Sequence, residues 1–333
     1  MDLGTVYLGL RLRSPLVASA SPLTGSLDGL RRLEQAGAGA VVLPSLFEEQ
    51  VSHELRETQP PPRGGPGGRP GAVSLLSELD GYNSGAWAYL GMVEKAANML
   101  GIPVIASLNG VTPGGWTAHA RWLEEAGADA VELNLYGVAS DPQVCGAEVE
   151  AGCLEVIGAV RAAVRIPVAV KLGPFFSAMA NLAVRMVEAG AQGLVLFNRF
   201  FQPDVDLDTM RAVPRVVLST PEELGLRLRW IAMLRDRIPV SLAASGGVHS
   251  GRDAAKALAV GADVAMTTSA LLAHGPEHLA RMERQLVACL VQRELASVAE
   301  LRGSLRQPPE ADPATAERAN YMRTLVSWTT PTP

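Results

Sequence analysis

Short runs of almost wholly apolar residues alternate with longer amphipathic stretches along this chain, and the junctions between them repeat. One junction is a small-residue turn ahead of an apolar run. It appears as Ala36-Gly37-Ala38-Gly39 before Ala40-Val41-Val42-Leu43, and as Ala126-Gly127-Ala128 before Ala130-Val131-Glu132-Leu133-Asn134. It returns at Ala189-Gly190-Ala191 and Val260-Gly261-Ala262. The other junction is Ile-Pro-Val, as Ile102-Pro103-Val104, Ile166-Pro167-Val168 and Ile238-Pro239-Val240. Glycine ends a helix because it takes the left-handed conformation without a Cβ penalty. Proline cannot continue a helix but is tolerated at the first residue of a strand. Strands apolar throughout, rather than alternating, are expected where both faces of a parallel sheet are covered.

These junctions predict seven strands, and Ser14-Pro15-Leu16-Val17-Ala18-Ser19 adds an eighth at the front. Helix-length stretches lie between them at Asp28–Gln35, Thr117–Ala126, Ala147–Ala163, Ala178–Ala189, Pro221–Arg235 and Arg252–Val260. Asp28 is the expected N-cap of the first. Eight strands alternating with helices predict an α/β protein, a (β/α)8 TIM barrel. The alternative, an open doubly wound sheet, offers a glycine fingerprint after its first strand, and Ala18-Ser19-Ala20-Ser21 is not one.

The stretch from Leu46 to Gly101 is too long for an ordinary connection. It contains Pro60-Pro61-Pro62-Arg63-Gly64-Gly65-Pro66-Gly67-Gly68-Arg69-Pro70-Gly71, which predicts a flexible insertion over about residues 55–75. A lid over the barrel mouth and a solvated spacer both fit it. Gly275–Leu305 reads as terminal helices and Thr329–Pro333 as a frayed end. The expected division is a barrel over 1–275 and a helical extension over 276–333 packed on it.

Composition narrows the class. The 333 residues are 48% hydrophobic and 19% charged, enough apolar material for a large core. A net charge of −5 argues against a nucleic-acid binder. Cys145, Cys153 and Cys289 form no CxxC pair, so neither a disulfide framework nor an iron–sulfur cluster is expected. Met1-Asp2-Leu3-Gly4-Thr5 does not open a signal peptide, and no apolar run reaches the roughly 18 residues that cross a bilayer. The first predicted strand begins too early to leave room for an amphipathic membrane anchor. A soluble, cytoplasmic protein is the expectation. His274-Gly275-Pro276-Glu277-His278 has the spacing of a metal pair, but Gly-Pro breaks the helix that the pair requires, and no metal is expected.

Chemistry in such barrels sits at the C-terminal ends of the strands. Those ends are Ala18-Ser19, Pro44-Ser45, Ser107 to Asn109, Asn134, Lys171, Asn198, Ser245-Gly246-Gly247 and Thr267-Thr268. They are polar where the strands are not. Each asparagine alone is explicable as a turn former; together with a lysine at one rim they indicate a binding site. Ser245-Gly246-Gly247-Val248 and Thr267-Thr268-Ser269 suit a phosphate, because such sites recur after strands seven and eight. Two ordinary turns are the alternative. Lys171 ends Val168-Ala169-Val170-Lys171-Leu172, where a charge needs an anionic ligand or a partner such as Glu132 on a neighbouring strand. The locally basic Leu226-Arg227-Leu228-Arg229-Trp230 reads as an ordinary outer helix.

The succession Ser14-Pro15-Leu16-Val17-Ala18-Ser19-Ala20, Asn134, Val170-Lys171-Leu172, Asn198, Gly246-Gly247-Val248 and Gly261-Ala262 resembles the dihydroorotate dehydrogenase family from about residue 3 to about residue 273. These are FMN-binding (β/α)8 barrels of pyrimidine biosynthesis, commonly dimeric. The resemblance implies that Ala18, Ser19, Ser45, Asn109, Asn134 and Lys171 contact the flavin, with Lys171 stabilising its reduced form. It implies that Ser245, Gly246, Gly247, Thr267 and Thr268 hold its phosphate. Asn198 would face the substrate, with Asn83 in Tyr82-Asn83-Ser84-Gly85 a further candidate.

The departures are equally specific. The family's loop after the fourth strand reads Asn-x-x-Cys/Ser-Pro-Asn, and its Cys or Ser removes the C5 proton of dihydroorotate as hydride leaves C6. Here the loop is Asn134-Leu135-Tyr136-Gly137-Val138-Ala139, with glycine in place of the base and alanine in place of the second asparagine. Pro44 stands where the family carries a lysine, and Arg199 where it carries a hydroxyl residue. The chain is thus similar to a "dihydroorotate dehydrogenase-like" branch, with which it shares Ser45-Leu46-Phe47-Glu48-Glu49-Gln50, Ala106-Ser107-Leu108-Asn109-Gly110 and Leu196-Phe197-Asn198-Arg199-Phe200. Tyr136 is the nearest substitute acid or base, although an unperturbed phenol titrates near about 10. Ser140, Asp141 and Cys145 lie a few residues on. Arg199 suits a bidentate clamp on a substrate carboxylate, or a salt bridge to a residue such as Asp204.

The expected function is an FMN-dependent oxidoreductase acting on a small, anionic ring substrate, with dihydroorotate the first candidate. A dihydropyrimidine or enone reductase, a flavin-binding subunit without turnover, and a barrel holding a non-flavin phosphate ligand are the alternatives. A homodimer is the expected assembly.

Overall fold

The computed structural model describes residues 1–48, 85–110, 116–200, 202–307 and 313–327. A hairpin absent from the sequence reading comes first. Strands β1 (Thr5–Tyr7) and β2 (Leu10–Leu12) pair antiparallel with Thr5 opposite Leu12. Leu8 and Gly9 between them have φ of 55° and 78°, as a two-residue type I′ turn requires. Such short strands carry too few positions to show a period.

Eight parallel strands then close into a barrel. They are β3 (Leu16–Ala18), β4 (Ala40–Phe47), β5 (Val104–Asn109), β6 (Ala130–Leu135), β7 (Val168–Leu172), β8 (Gly193–Leu196), β11 (Ser241–Ser245) and β12 (Val264–Thr267). They neighbour one another in chain order, β8 pairs with β11, and β12 closes onto β3. The (β/α)8 expectation holds. Each turn works as its residues dictate: Gly37 and Gly261 take φ of 104° and 117° just past a helix, and β5 and β7 begin directly after Pro103 and Pro167.

Alternation inside these strands is hidden because both faces are buried. Outward-facing Val131, Leu133, Leu135, Val168, Val170 and Leu172 join the main core under the helices. Inward-facing Val17, Ala40, Val42, Ile105, Ala130, Ala169, Val195, Ala243, Val264 and Met266 form a second cluster within the barrel, shared with Tyr7, Leu8 and Leu12. The hairpin is therefore the barrel's floor. The polar Glu132, Asn134 and Lys171 all fall on inward positions of that alternation.

The helices are α1 (Leu27–Gln35), α2 (Ala86–Met99), α3 (Trp116–Glu125), α4 (Gly146–Ala163), α5 (Met179–Glu188), α6 (Leu224–Leu234), α7 (Gly251–Ala259), α8 (Ser269–His274), α9 (His278–Val291), α10 (Val298–Leu301) and α11 (Pro313–Val326). The N-cap of α1 is Ser26, whose hydroxyl accepts from Gly29 N–H at 3.1 Å, not Asp28. Asp28 lies in the first turn, where its charge meets the helix dipole. The helix α2 lies in the long Leu46–Gly101 stretch, outside the expected insertion, where no helix was predicted. It buries Tyr89, Val93 and Ala96 at helical spacing. The expected insertion over 55–75, its possible role as a lid, and the end Thr329–Pro333 lie outside the described residues.

A second unpredicted hairpin, β9 (Asp204–Asp206) with β10 (Arg211–Val213), follows β8. Helices α8 and α9 break between His274 and His278, at Gly-Pro. The helices α9 and α10 pack on α7 through Leu286, Cys289, Leu290, Val298 and Leu301 against Ala255, Leu258 and Ala259.

Candidate active site

The barrel's polar rim is built by strand register. Asn109 on β5 pairs with Asn134 on β6, which pairs with Lys171 on β7. Three polar side chains thus lie side by side on the inner wall, and all are buried. Lys171 Nζ lies 3.3 Å from Glu132 Oε1 and 3.4 Å from Ser19 Oγ. The neighbouring-strand partner named for Lys171 is therefore in place. Lysine has three N–H donors, and both of these contacts are long. Asn198 Nδ2 donates to Asn134 Oδ1 at 2.7 Å, and its backbone N–H donates to Leu172 O, which carries the chain over from β8 toward β7. Ser45 and Ser107 share a hydrogen bond of 2.8 Å, and Tyr89 of α2 fixes Ser107 by donating to its carbonyl and accepting from its N–H.

Ala18 sits in the outer cluster, so its methyl faces the helices and only its backbone can face the mouth. Asn83 lies outside the described residues. Tyr136 is half-buried and its ring centroid lies 5.5 Å from that of Phe200, which meets Phe175 edge-on at 4.9 Å. An aromatic wall thus stands above the ends of β6, β7 and β8. Gly137, Val138 and Ala139 are exposed beyond it, as are Ser140, Asp141 and Cys145. Arg199 donates to both oxygens of Glu223, at 3.2 and 3.3 Å, while Asp204 pairs with Arg215 instead.

On the opposite side the turn after β11 holds Gly246 and Gly247 at φ of 94° and 79°. A Cβ on Gly247 would overlap the backbone of Leu224, and one on Gly246 would sit 2.8 Å from Arg227 Nη2. The close approach that these glycines permit is thus, first, to the protein's own α6. Arg227 belongs to the inner face of that helix and not to an ordinary solvated one. It is buried, donating to Ser245 O at 2.9 Å and to Glu223 O at 2.8 Å. Burial pulls its guanidinium below the ordinary value, with the Glu223 charge opposing. Thr267 spends its hydroxyl on Val248 O at 2.9 Å, fastening this turn to β12. Thr268 is the N-cap residue of α8, with no side-chain capping bond, and is half-buried. Beside it Ser219 Oγ and His249 Nε2 share a hydrogen bond of 3.0 Å, and Ser219 N–H donates to Ser269 Oγ. Arg227, Ser219 and His249 escaped the sequence reading because nothing in their local pattern marks them as inward-facing.

A family model described as dihydroorotate dehydrogenase matches residues 9–290. The chain belongs to the dihydroorotate dehydrogenase family. It is 33% identical over 288 residues to a protein of Aeropyrum pernix provisionally named dihydroorotate dehydrogenase A (fumarate), covering 84% of this chain and 89% of that one. It is 28% identical over 315 residues to a protein of Methanothermobacter thermautotrophicus named dihydroorotate dehydrogenase B (NAD(+)), catalytic subunit, covering 90% and 97%. Dihydroorotate dehydrogenases are generally flavoproteins, and by membership this chain is an oxidoreductase acting on CH–CH groups. Among the described residues no helix is long and apolar enough to cross a membrane, and no group of three or more His, Cys, Asp or Glu side chains is placed to hold a metal.

The rim residues fit a flavin mononucleotide. A ring that presents alternating donors and acceptors meets amides at Asn109 and Asn134 and an ammonium at Lys171, all already desolvated. A phosphate would have to approach this turn from its partly exposed side, at Gly246 and Thr268, since Gly247 is buried against Leu224 of α6.

Proposed function

We propose that this dihydroorotate dehydrogenase family member is an FMN-dependent oxidoreductase that interconverts a C–C single and double bond in a small ring substrate. The observation that carries the reading is the row Asn109, Asn134 and Lys171, in register and buried on the inner wall beneath the barrel mouth. When bound, FMN supplies a two-electron carrier for hydride. Ser19, Ser45, Asn109, Asn134 and Lys171, with the backbone at Ala18, would hold the flavin ring. Ser245, Gly246, Gly247 and the half-buried Thr268 would hold its phosphate, with Thr267 shaping the turn. Lys171 would oppose negative charge on the ring from a site that excludes water. Asn134 and Asn198, locked together at 2.7 Å, would orient the substrate. Tyr136 is the candidate for moving the substrate's proton, and the wall it forms with Phe200 suits a flat ring. Arg199, held by Glu223, would need to leave that partner to clamp a carboxylate.

A second reading, a substrate other than dihydroorotate, is favoured by Gly137. It is exposed at the position where the family's base stands, and glycine takes no proton. A dihydropyrimidine or cyclic enone is the class indicated. Absorbance of the purified protein, repeated after anaerobic addition of dihydroorotate, tests both. Flavin bands that bleach support the family's own reaction. Bands that persist with dihydroorotate but bleach with another dihydropyrimidine, or that return when an enone is added to the chemically reduced protein, support the second reading. A protein that stays colourless after incubation with FMN overturns both.

A further inference from the structure

Below the rim, the barrel interior holds a second polar level that the flavin contacts do not use. Glu132 faces inward one step deeper than the row of Asn109, Asn134 and Lys171, paired in register with Ser107 and Ala169. Its side chain is 1% exposed, and that of Lys171 is 10%. One carboxylate oxygen, Oε1, faces Lys171 Nζ at 3.3 Å. The other, Oε2, is fully buried and has no hydrogen-bond partner among the described residues. The hydroxyl of Tyr7, whose residue is 0% exposed, is in the same condition.

Both orphaned oxygens belong to the barrel interior, and the charge of one acts on the other. Tyr7 rises from the hairpin floor into the inner cluster, among Ala40, Ala130, Ala169 and Ala243. Alanines at these inward positions leave room for a phenol in an interior that such barrels ordinarily fill with bulkier branched residues. The charge of Glu132 reaches Tyr7: it is the largest contributor after burial to holding the phenol well above its ordinary value. A neutral phenol is a donor and a carboxylate an acceptor, and both orphans cost free energy unless they are satisfied. Internal waters occupy such polar pockets and bridge groups of this kind.

We propose that Glu132 is a positioning residue that serves as the counter-ion of Lys171 and compensates its charge beneath the flavin, and that Tyr7 steadies Glu132 from the barrel floor through one internal water. An ammonium alone at the rim would draw negative charge onto whatever lies above it. With Glu132 beside it the pair is neutral overall, so the pull is weaker. Glu132 thereby sets how readily a bound flavin is reduced, and the N-terminal hairpin contributes to the site without touching it. The inference rests on the FMN reading above.

The test is the midpoint potential of FMN bound to the full-length protein and to three variants. Glu132→Gln keeps the shape and removes the charge, and its potential moves to a more positive value. Glu132→Asp keeps the charge and returns the potential toward that of the original protein. Tyr7→Phe removes the hydroxyl alone, and shifts the potential in the same direction as Glu132→Gln by a smaller amount. Glu132→Gln leaves a buried ammonium without its partner, and this can cost the fold; Tyr7→Phe then carries the measurement. A crystal structure gives a readout independent of flavin: an ordered water between Tyr7 Oη and Glu132 Oε2, lost in Tyr7→Phe. Flavin bound with an unchanged potential in Glu132→Gln, or in Tyr7→Phe where Glu132→Gln does not fold, overturns the proposal, as does a dry gap between the two oxygens. A protein that never takes up FMN instead overturns the cofactor reading, and the crystallographic water then decides the local arrangement separately.

Discussion

Tyr7 brings a hydroxyl to the floor of a closed barrel, and its titration has a consequence for the stability of the whole fold. Burial first, then the charges of Glu132 and Asp263, raise its phenol well above the ordinary value. Below about pH 10 the phenol is protonated in both folded and unfolded chains, and its contribution is fully present. Above that pH the unfolded chain releases the proton and the folded one retains it. The fold then binds more protons than the unfolded state, so stability is lost as pH rises. Tyr7→Phe abolishes this. Urea unfolding of the two proteins at about pH 8 and about pH 11 should show the original protein losing more stability than the variant across that interval; equal losses would count against the burial of Tyr7. Lys171, Asn134 and Asn109 were legible in the sequence because a polar letter at the end of an apolar strand has few structural reasons to be there. Glu132 was legible as a partner for Lys171, but Tyr7 and Arg227 were not, because inwardness depends on which face each element turns toward the barrel axis.

Among the elements, helix α1 separates two capping hypotheses. Ser26 Oγ accepts from Gly29 N–H at 3.1 Å, whereas Asp28 stands within the first turn. Ser26→Ala removes a capping bond and should cost about 1 kcal/mol. Asp28→Asn removes only a favourable charge near the dipole and should cost about 0.3–0.5 kcal/mol at low salt. Chemical denaturation of both variants checks the order, and a larger loss for Asp28→Asn would contradict the cap. Elements were legible where glycine and proline punctuate apolar runs, since those two residues act through the backbone and need no tertiary partner. The hairpins β1–β2 and β9–β10 were missed because three-residue strands show no period. The helix α2 was missed because it shares a span with the Pro- and Gly-rich stretch, although Tyr89, Val93 and Ala96 repeat at helical spacing.

Across the whole molecule, the C-terminal region divides by what it buries. Residues Leu286, Cys289, Leu290, Val298 and Leu301 complete a cluster with α7, and Arg302 reaches Asp263 at the barrel base at 2.8 Å. In contrast α11 leaves Tyr321, Met322, Leu325 and Val326 at least 60% exposed, and one of its links to the barrel is the partly exposed pair Arg229–Glu317 at 2.6 Å. Pairs of that kind contribute about 0–1 kcal/mol. A chain ending at Gln307 should therefore fold and unfold within about 1 kcal/mol of the complete one. A chain ending at Gly275 strips the cover from Leu258 and Ala259 and should lose cooperative unfolding. Circular dichroism melts of both truncations check this, and a shorter chain that fails at Gln307 would show that α11 does more than its contacts account for.

Local chemistry determined the barrel's number of strands, the position of its turns and the layer of polar residues at its mouth. Glycine's freedom at positive φ, proline's missing N–H and the cost of burying an unpaired amide or ammonium are properties of single residues, readable in one dimension. Tertiary structure alone decided which partners those residues have. Only the tertiary arrangement brings Asn198 to Asn134, turns Arg227 toward Ser245 and lifts Tyr7 from the floor. These pairs are separated by long stretches of chain, and their meeting follows from the register of the closed sheet, which no local pattern encodes.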